Sequence, residues 1–194
     1  ARTGSFAYMI AREKAGAEAL VARGTPAGPG LYTSIIVTSP ESGLRTMEDV
    51  KARAGSLIFA FVDPASTSGH LMPRAGLESF GIEAQDDFQR IIFTMSHTNS
   101  AMALASGKVD VGAMSRTTYD RLIAAGRIDA DDFVLLWESP PMPSGPIVVR
   151  EDLPEEIKER IRGAYLDLNE DGGPLLEAIR AQAKTPELIY YAAD

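Results

Sequence analysis

Three hydroxyls and a glycine, Ser66-Thr67-Ser68-Gly69, stand between an apolar run, Leu57 to Val62, and the start of a helical pattern. Asp63-Pro64 breaks the run, so the stretch reads as strand, loop, helix. A helix start leaves backbone N–H groups without intrahelical partners and carries the positive end of the macrodipole. It can therefore hold an oxyanion when side chains do not already fill it. Ser66, Thr67 and Ser68 would add short donors, and Gly69 would let the backbone come close. The same residues also serve as ordinary N-caps, and spacing alone leaves both readings open. A second helix start, Ser96-His97, offers an imidazole, which by itself reads equally well as a polar cap.

Other chemistries find little purchase. Ser68 and His97 could be drawn as nucleophile and base, but no third orienting group has a recognisable spacing, and Gly-x-Ser-x-Gly is absent. The two histidines, His70 and His97, are not spaced as metal ligands, and there is no cysteine for a thiolate, a disulfide or a zinc site. No cofactor is implied and no enzyme is expected. Asp110 reads as structural; the acid runs Glu83 to Asp87 and Asp129 to Asp132 read as solvated loops or caps. A net charge of −8 argues against nucleic acid or an anionic membrane as partner. It leaves room for a small anion, because a few local N–H groups outweigh distant surface charge.

The elements that must position these groups alternate. A helix is expected near Ser5 to Gly16, a short strand at Ala19 to Ala22, a loop from Arg23 to Gly30, and one fully buried strand over Leu31 to Thr38. Thr46, with Asp49 three residues on, caps a short helix. Beyond the cradle, Leu71 to Phe80 gives a helix closed by Gly81. Gln89 to Thr94 is a strand, Met95 to Gly107 a second capped helix ended by that glycine, Lys108 to Met114 a strand, and Tyr119 to Ala125 lies in a helix. Phe133 to Trp137 and Ile147 to Arg150 are strands on either side of a proline-rich crossing, Ser139 to Pro146. Leu153 to Leu168 is amphipathic, with Ile157, Ile161, Ala164, Tyr165 and Leu168 on one stripe. A last helix spans Leu175 to Ala183, and Leu188 to Tyr191 reads as strand or tail. Such alternation predicts a parallel or mixed sheet covered by helices, with ligands at the strand-to-helix loops, where Ser66 to Gly69 falls. No apolar run reaches the roughly 20 residues a membrane helix needs, and the start of the chain lacks a signal-peptide pattern.

Several of these residues recur together in one family. The set Tyr32 with Ser34, Asp63-Pro-x-Ser66-Thr67-Ser68-Gly69, Pro73, Ser96-His97, Ser106-Gly107-Lys-Val-Asp110, and Ser139-Pro140 leading to Pro146-Ile-Val-Val-Arg150 resembles the phosphonate-binding proteins of ABC importers. The resemblance runs in order across nearly the whole chain. It implies an α/β fold of the two-lobed periplasmic-binding-protein type 2, a Venus flytrap that closes on a phosphorus oxyanion. Ser66, Thr67 and Ser68 would hold phosphonate oxygens, His97 would donate from the next helix start, and Tyr32 would reach in from a crossing strand. An ABC permease is the implied partner and the periplasm the implied location; an extracytoplasmic sensor with the same anion pocket is the alternative.

Two departures from the family pattern refine this. Members selective for aminoalkyl phosphonates place carboxylates near the ammonium group, whereas the corresponding stretches, Met114-Ser-Arg-Thr117 and Pro143-Ser-Gly145, carry no acid. An unpartnered buried ammonium is costly, so phosphite, methylphosphonate or phosphate is expected rather than 2-aminoethylphosphonate. The chain also begins where family members are already part-way through the first lobe. By analogy residues 1–36 finish the first part of lobe I, 37–138 form lobe II, and 139–194 return to lobe I, leaving lobe I incomplete. Apolar surface on 1–30 and 147–191 would then favour self-association.

Overall fold

A computed structural model describes residues 1–183 and 185–193; the last residue of the segment 139–194 lies outside the described residues. In chain order its elements are α1 (Ser5–Ala15), β1 (Ala17–Thr25), β2 (Gly28–Pro29), β3 (Leu31–Tyr32), β4 (Ser34–Thr38), α2 (Met47–Arg53), β5 (Ile58–Phe61), α3 (Met72–Ser79), α4 (Ala84–Asp87), β6 (Arg90–Phe93) and α5 (His97–Ala105). There follow β7 (Val111–Ser115), α6 (Arg116–Ala124), β8 (Val134–Glu138), β9 (Met142–Pro143), β10 (Ile147–Arg150), α7 (Glu155–Asp171), α8 (Gly173–Ala183) and β11 (Ile189–Ala192). The chain divides into two compact units, Tyr32–Pro141 and Ala1–Leu31 with Met142–Asp194.

The Tyr32–Pro141 unit is built on a five-stranded sheet in the order β6-β5-β7-β4-β8. β5 runs parallel to β6 and β7, while β4 runs antiparallel to β7 and β8. Helices cover both faces, so the central strands carry apolar residues on both sides. On β4, Ile36 enters one core with Met47, Val50, Phe59, Phe61 and Leu77. Its neighbours Ile35 and Val37 enter the other with Ala60, Leu104, Met114 and Leu122. Period-two alternation thus feeds two cores from one strand. Thr46 and Asp49 form the expected capping box on α2, and Gly81 (φ 68°) and Gly107 (φ 67°) take the left-handed turns that end helical segments.

The second unit is an antiparallel sheet, β10-β1-β11, with β2 also paired to β1. Its core joins Leu20, Val21, Ile147, Leu176, Leu188 and Tyr190 to Ile161, Tyr165 and Leu168 of the expected α7 stripe, whereas Ala164 is exposed. Lys158 is also buried on α7, and its ammonium meets Glu18 at 2.5 Å and Glu155 at 3.6 Å. These carboxylates hold its pKa above the ordinary lysine value.

Three expectations need correcting. Arg23 to Gly30 is not an open loop: β1 continues to Thr25 and β2 folds back on it, pairing Gly24 with Pro29 and Thr25 with Gly28. Glycine and proline there mark a tight hairpin turn. Leu31 to Thr38 is not one buried strand, since Leu31 is exposed and the ladder breaks at Thr33. A parallel or mixed sheet describes only one unit, because the other is antiparallel throughout its named strands.

Candidate anion site

Because β6, β5 and β7 are parallel neighbours, their C-terminal ends lie along one sheet edge, and each runs through a short loop into a helix start. β4 is antiparallel and begins at that edge, with Ser34 opposite Ser115. Three helix starts and one strand start therefore bring polar residues from four parts of the chain to one place.

The first loop is tightly tied. Asp63 accepts the Ala65 amide through Oδ1 at 2.8 Å, and the Ser66 amide donates to the Asp63 carbonyl at 2.9 Å. Ser66 Oγ accepts from the Gly69 amide at 2.9 Å, so Ser66 is the cap. Thr67–Leu71 is a single π-helical turn, with the Leu71 amide reaching back to the Ser66 carbonyl at 3.0 Å. A π-turn is wide and rare, and recurs at functional positions.

Ser68 is only 3 % exposed. Its carbonyl accepts from Ser34 Oγ at 2.7 Å, while its amide and hydroxyl have no partner among the described residues. Capping therefore falls to Ser66 and leaves donors at Ser68. Thr67 is buried beside it.

Gly69 makes this packing possible. Its carbonyl accepts from the Val62 amide at 2.9 Å, and a Cβ at this position would stand 2.3 Å from Val62 Cβ and 2.8 Å from Ser66 Oγ. Both obstacles are short, stiff groups, so the turn must shift. Gly69→Ala is expected to destabilise the protein by about 1–3 kcal/mol, read as a lower urea midpoint. An unchanged midpoint would show that the turn has room to spare.

The second loop is latched to the first. The Thr94 amide donates to the Phe61 carbonyl at 3.0 Å, and the Met95 amide to the Val62 carbonyl at 2.7 Å. Ser96 caps α5 by accepting the Asn99 amide at 3.1 Å, which places His97 in the first helical position. His97 Nδ1 accepts the Ser115 amide at 3.0 Å. An accepting Nδ1 carries no proton, so the neutral ring bears its hydrogen on Nε2. Burial, helped by the nearby Arg121, lowers the His97 pKa to about 4. At neutral pH this residue is an uncharged Nε2–H donor.

The third start is capped by Ser115, which accepts the Thr118 amide at 3.2 Å and bonds Thr118 Oγ1 at 2.9 Å. Ser139 Oγ accepts the Ser34 amide at 2.9 Å. Tyr32 stands two residues upstream of Ser34 on the segment entering this edge, half-buried. Of the residues singled out in the sequence, Ser66, Thr67 and Ser68 share one turn, and His97 joins the edge through Ser115. Sequence reasoning gave no role to Ser115 or Thr118. Their Ser-x-x-Thr spacing ahead of a helix was the available signal.

The other histidine does different work. His70 Nδ1 lies 2.9 Å from the Pro64 carbonyl, and its ring meets Phe61 and Phe93 edge-on at 4.9 and 5.5 Å. It packs the loop against the sheet. Among the described residues no group of three or more histidine or acidic side chains could hold a metal. What the edge offers is a set of hydroxyl, amide and imidazole donors suited to an oxyanion with several acceptor lone pairs, while its carboxylates are engaged, Asp63 by the Ala65 amide and Glu138 by Thr33 and Arg116.

The chain is similar to several known proteins. The chain is 28% identical over 168 residues to the phosphonates-binding periplasmic protein of Escherichia coli, covering 84% of this chain and 48% of that protein. It is 27% identical over 178 residues to the phosphate-import protein PhnD of Mycolicibacterium smegmatis, covering 84% and 52%. The chain thus spans about half the length of the curated relatives it matches. A crystal structure of a phosphonate ABC transporter binding protein from Pseudomonas aeruginosa superposes with a TM-score of 0.87 at 26% identity, over 100% of this chain and 63% of that one. The fold is that of the type 2 periplasmic binding proteins. The family described as "ABC transporter, phosphonate, periplasmic substrate-binding protein" matches residues 1–186, and the chain belongs to that family of solute-binding proteins.

Proposed function

We propose that this chain belongs to the solute-binding subunit of an ABC importer, which captures a small phosphorus oxyanion, such as phosphite or methylphosphonate, in the periplasm and delivers it to a permease. The carrying observation is Ser68, a residue only 3 % exposed whose amide and hydroxyl make no hydrogen bond among the described residues, beside a helix start at which His97 is a neutral donor. In this reading Ser66, Thr67 and Ser68 hold oxygens through hydroxyl and amide hydrogens, His97 Nε2–H donates to another, and Tyr32 closes on the anion. No step of covalent chemistry belongs to it. His97 Nδ1 is engaged by an amide rather than an orienting carboxylate, so a Ser–His relay lacks its third member. The sensory alternative gains no support from the relatives named above.

Calorimetric titration with phosphite, methylphosphonate and phosphate should give one-to-one binding for at least one of them, and 2-aminoethylphosphonate should bind weakest. Ser68→Ala removes one donor and leaves a ligand oxygen unpaired, a loss of about 1–3 kcal/mol of binding. An affinity unchanged by this variant would remove Ser68 from the site. Self-association through exposed Met9 (56 %) and Leu175 (59 %) belongs to the same reading. Sedimentation velocity should show a concentration-dependent dimer, and a monomer at all concentrations would refute it.

A further inference from the structure

The antiparallel sheet gathers donors that no acceptor meets. Arg2 bridges to Ile147 of β10, Ile147 pairs with Val21 of β1, and two residues further along β1 Arg23 pairs with Tyr190 of β11. Paired residues share a face, and so do residues two apart on a strand. Arg2, Arg23 and Tyr190 therefore lie on one side of the sheet, the side covered by α7, whose Tyr165 ring centre is 5.1 Å from that of Tyr190. Arg23 Nε is buried and makes no hydrogen bond. Tyr190 is 6 % exposed, and its hydroxyl makes none among the described residues. Buried donors almost always find partners, so each of these calls for one. Two guanidinium groups brought together also repel. Burial, and after it the charge of Arg2, hold the Arg23 pKa below the ordinary arginine value. Among the described residues no carboxylate pairs with either arginine, although the chain has 27 acidic residues against 19 basic ones. With acids in such excess, a place that holds two arginines and none of them is short of one negative charge.

We infer that Arg2, Arg23 and Tyr190 form a second oxyanion site, at which a small anion with two or more acceptor oxygens accepts from the Arg23 guanidinium and the Tyr190 hydroxyl beside the charge of Arg2. The edge of a guanidinium that carries Nε–H presents two parallel donors, which match two oxygens of a carboxylate, sulfate or phosphate. Arg23 is half-buried, so an anion reaches it from solvent, and turning that edge outward gives Nε–H its acceptor. Binding then removes the repulsion between the arginines and stabilises the sheet by mass action. The site lies in the unit that lacks the Ser66–Gly69 turn, and the inference does not rest on the importer reading.

The arginine Nε–H resonances of the chain test this in separate titrations with sulfate and acetate, with chloride holding ionic strength constant. The Arg23 Nε–H is expected to shift and saturate, both in the wild-type chain and in Ser68→Ala, whose turn has lost a donor. Saturation by either anion upholds the site, and the stronger of the two shows whether it prefers a tetrahedral or a planar group. Arg2→Gln, at an exposed position, should weaken binding about tenfold, and Tyr190→Phe, which keeps the aromatic ring, about fivefold. Arg160→Gln, an equal loss of charge at an exposed position of α7, should change it by less than about twofold. A shift that never saturates, equal weakening by Arg160→Gln and Arg2→Gln, or loss of the effect in Ser68→Ala would overturn the proposal. An Arg23 Nε–H that ignores both anions would show that water alone fills the place, and would overturn it as well.

Discussion

Acidification from pH 6.5 to about 4 is expected to remove about 3 kcal/mol of folding stability through His97 alone. The fold lowers the pKa of this ring from 6.5 to about 4, so it favours the neutral form. The contribution is fully present above pH 6.5 and is lost as pH falls through the window down to about 4, because the unfolded chain takes up the proton first. Between those limits the slope should approach about 1.4 kcal/mol per pH unit. The cause is local: a protonated Nδ1 can no longer accept the Ser115 amide, and burial beside Arg121 penalises the charge. His97→Gln should flatten urea-derived stability between pH 6.5 and 4.5 while leaving His70 intact. It should also weaken oxyanion binding, because the imidazole donor is gone. An undiminished slope in this variant would mean that the ring is not held neutral.

The largest loss of stability is expected from the strand that carries the cradle. Phe59 is fully buried and packs between Phe61, 4.7 Å away between ring centres, and Phe88, 5.0 Å away. Phe59→Ala should cost about 3–5 kcal/mol, a large share of the roughly 5–15 kcal/mol that holds a domain folded. β5 also sets the position of Val62, which receives the Met95 amide and donates to Gly69. Oxyanion affinity should therefore fall with stability. Phe93→Ala, on the partly exposed edge strand, should cost much less. Equal urea midpoints for the two variants would contradict this picture of where the core lies.

Local chemistry made part of this site readable in advance. The Thr46–Asp49 box, the glycines at 81 and 107, and a hydroxyl-rich start after Asp63-Pro64 are decided within a few residues of chain, where turn and capping rules act. The choice between cap and cradle could not be made there. It turns on Ser66 accepting the Gly69 amide while the Ser68 carbonyl is taken by Ser34, which is 34 residues away. The partner of His97 lies 18 residues on, across a strand, and only sheet order brings the two together. Lys158 sits on an amphipathic helix rich in charge, and its partner Glu18 is 140 residues distant. The antiparallel character of the β10-β1-β11 sheet was hidden for the same reason. Alternating strands and helices say what packs, whereas the direction of pairing is set by connections whose ends are far apart in sequence. The family resemblance carried information of that long-range kind, which is why it identified Ser34 and Ser139 as part of the pattern before either had a physical role.

The claim beneath all of this is that the Ser68 amide and the His97 ring hydrogen contact the same bound anion. Amide and imidazole NMR resonances followed during a phosphite titration, repeated with methylphosphonate, test it most directly. The expected result is a saturable downfield shift of the Ser68 N–H and the His97 Nε2–H at one common dissociation constant. Saturable shifts confined to other residues, or silence at both positions with every phosphorus oxyanion, would contradict it.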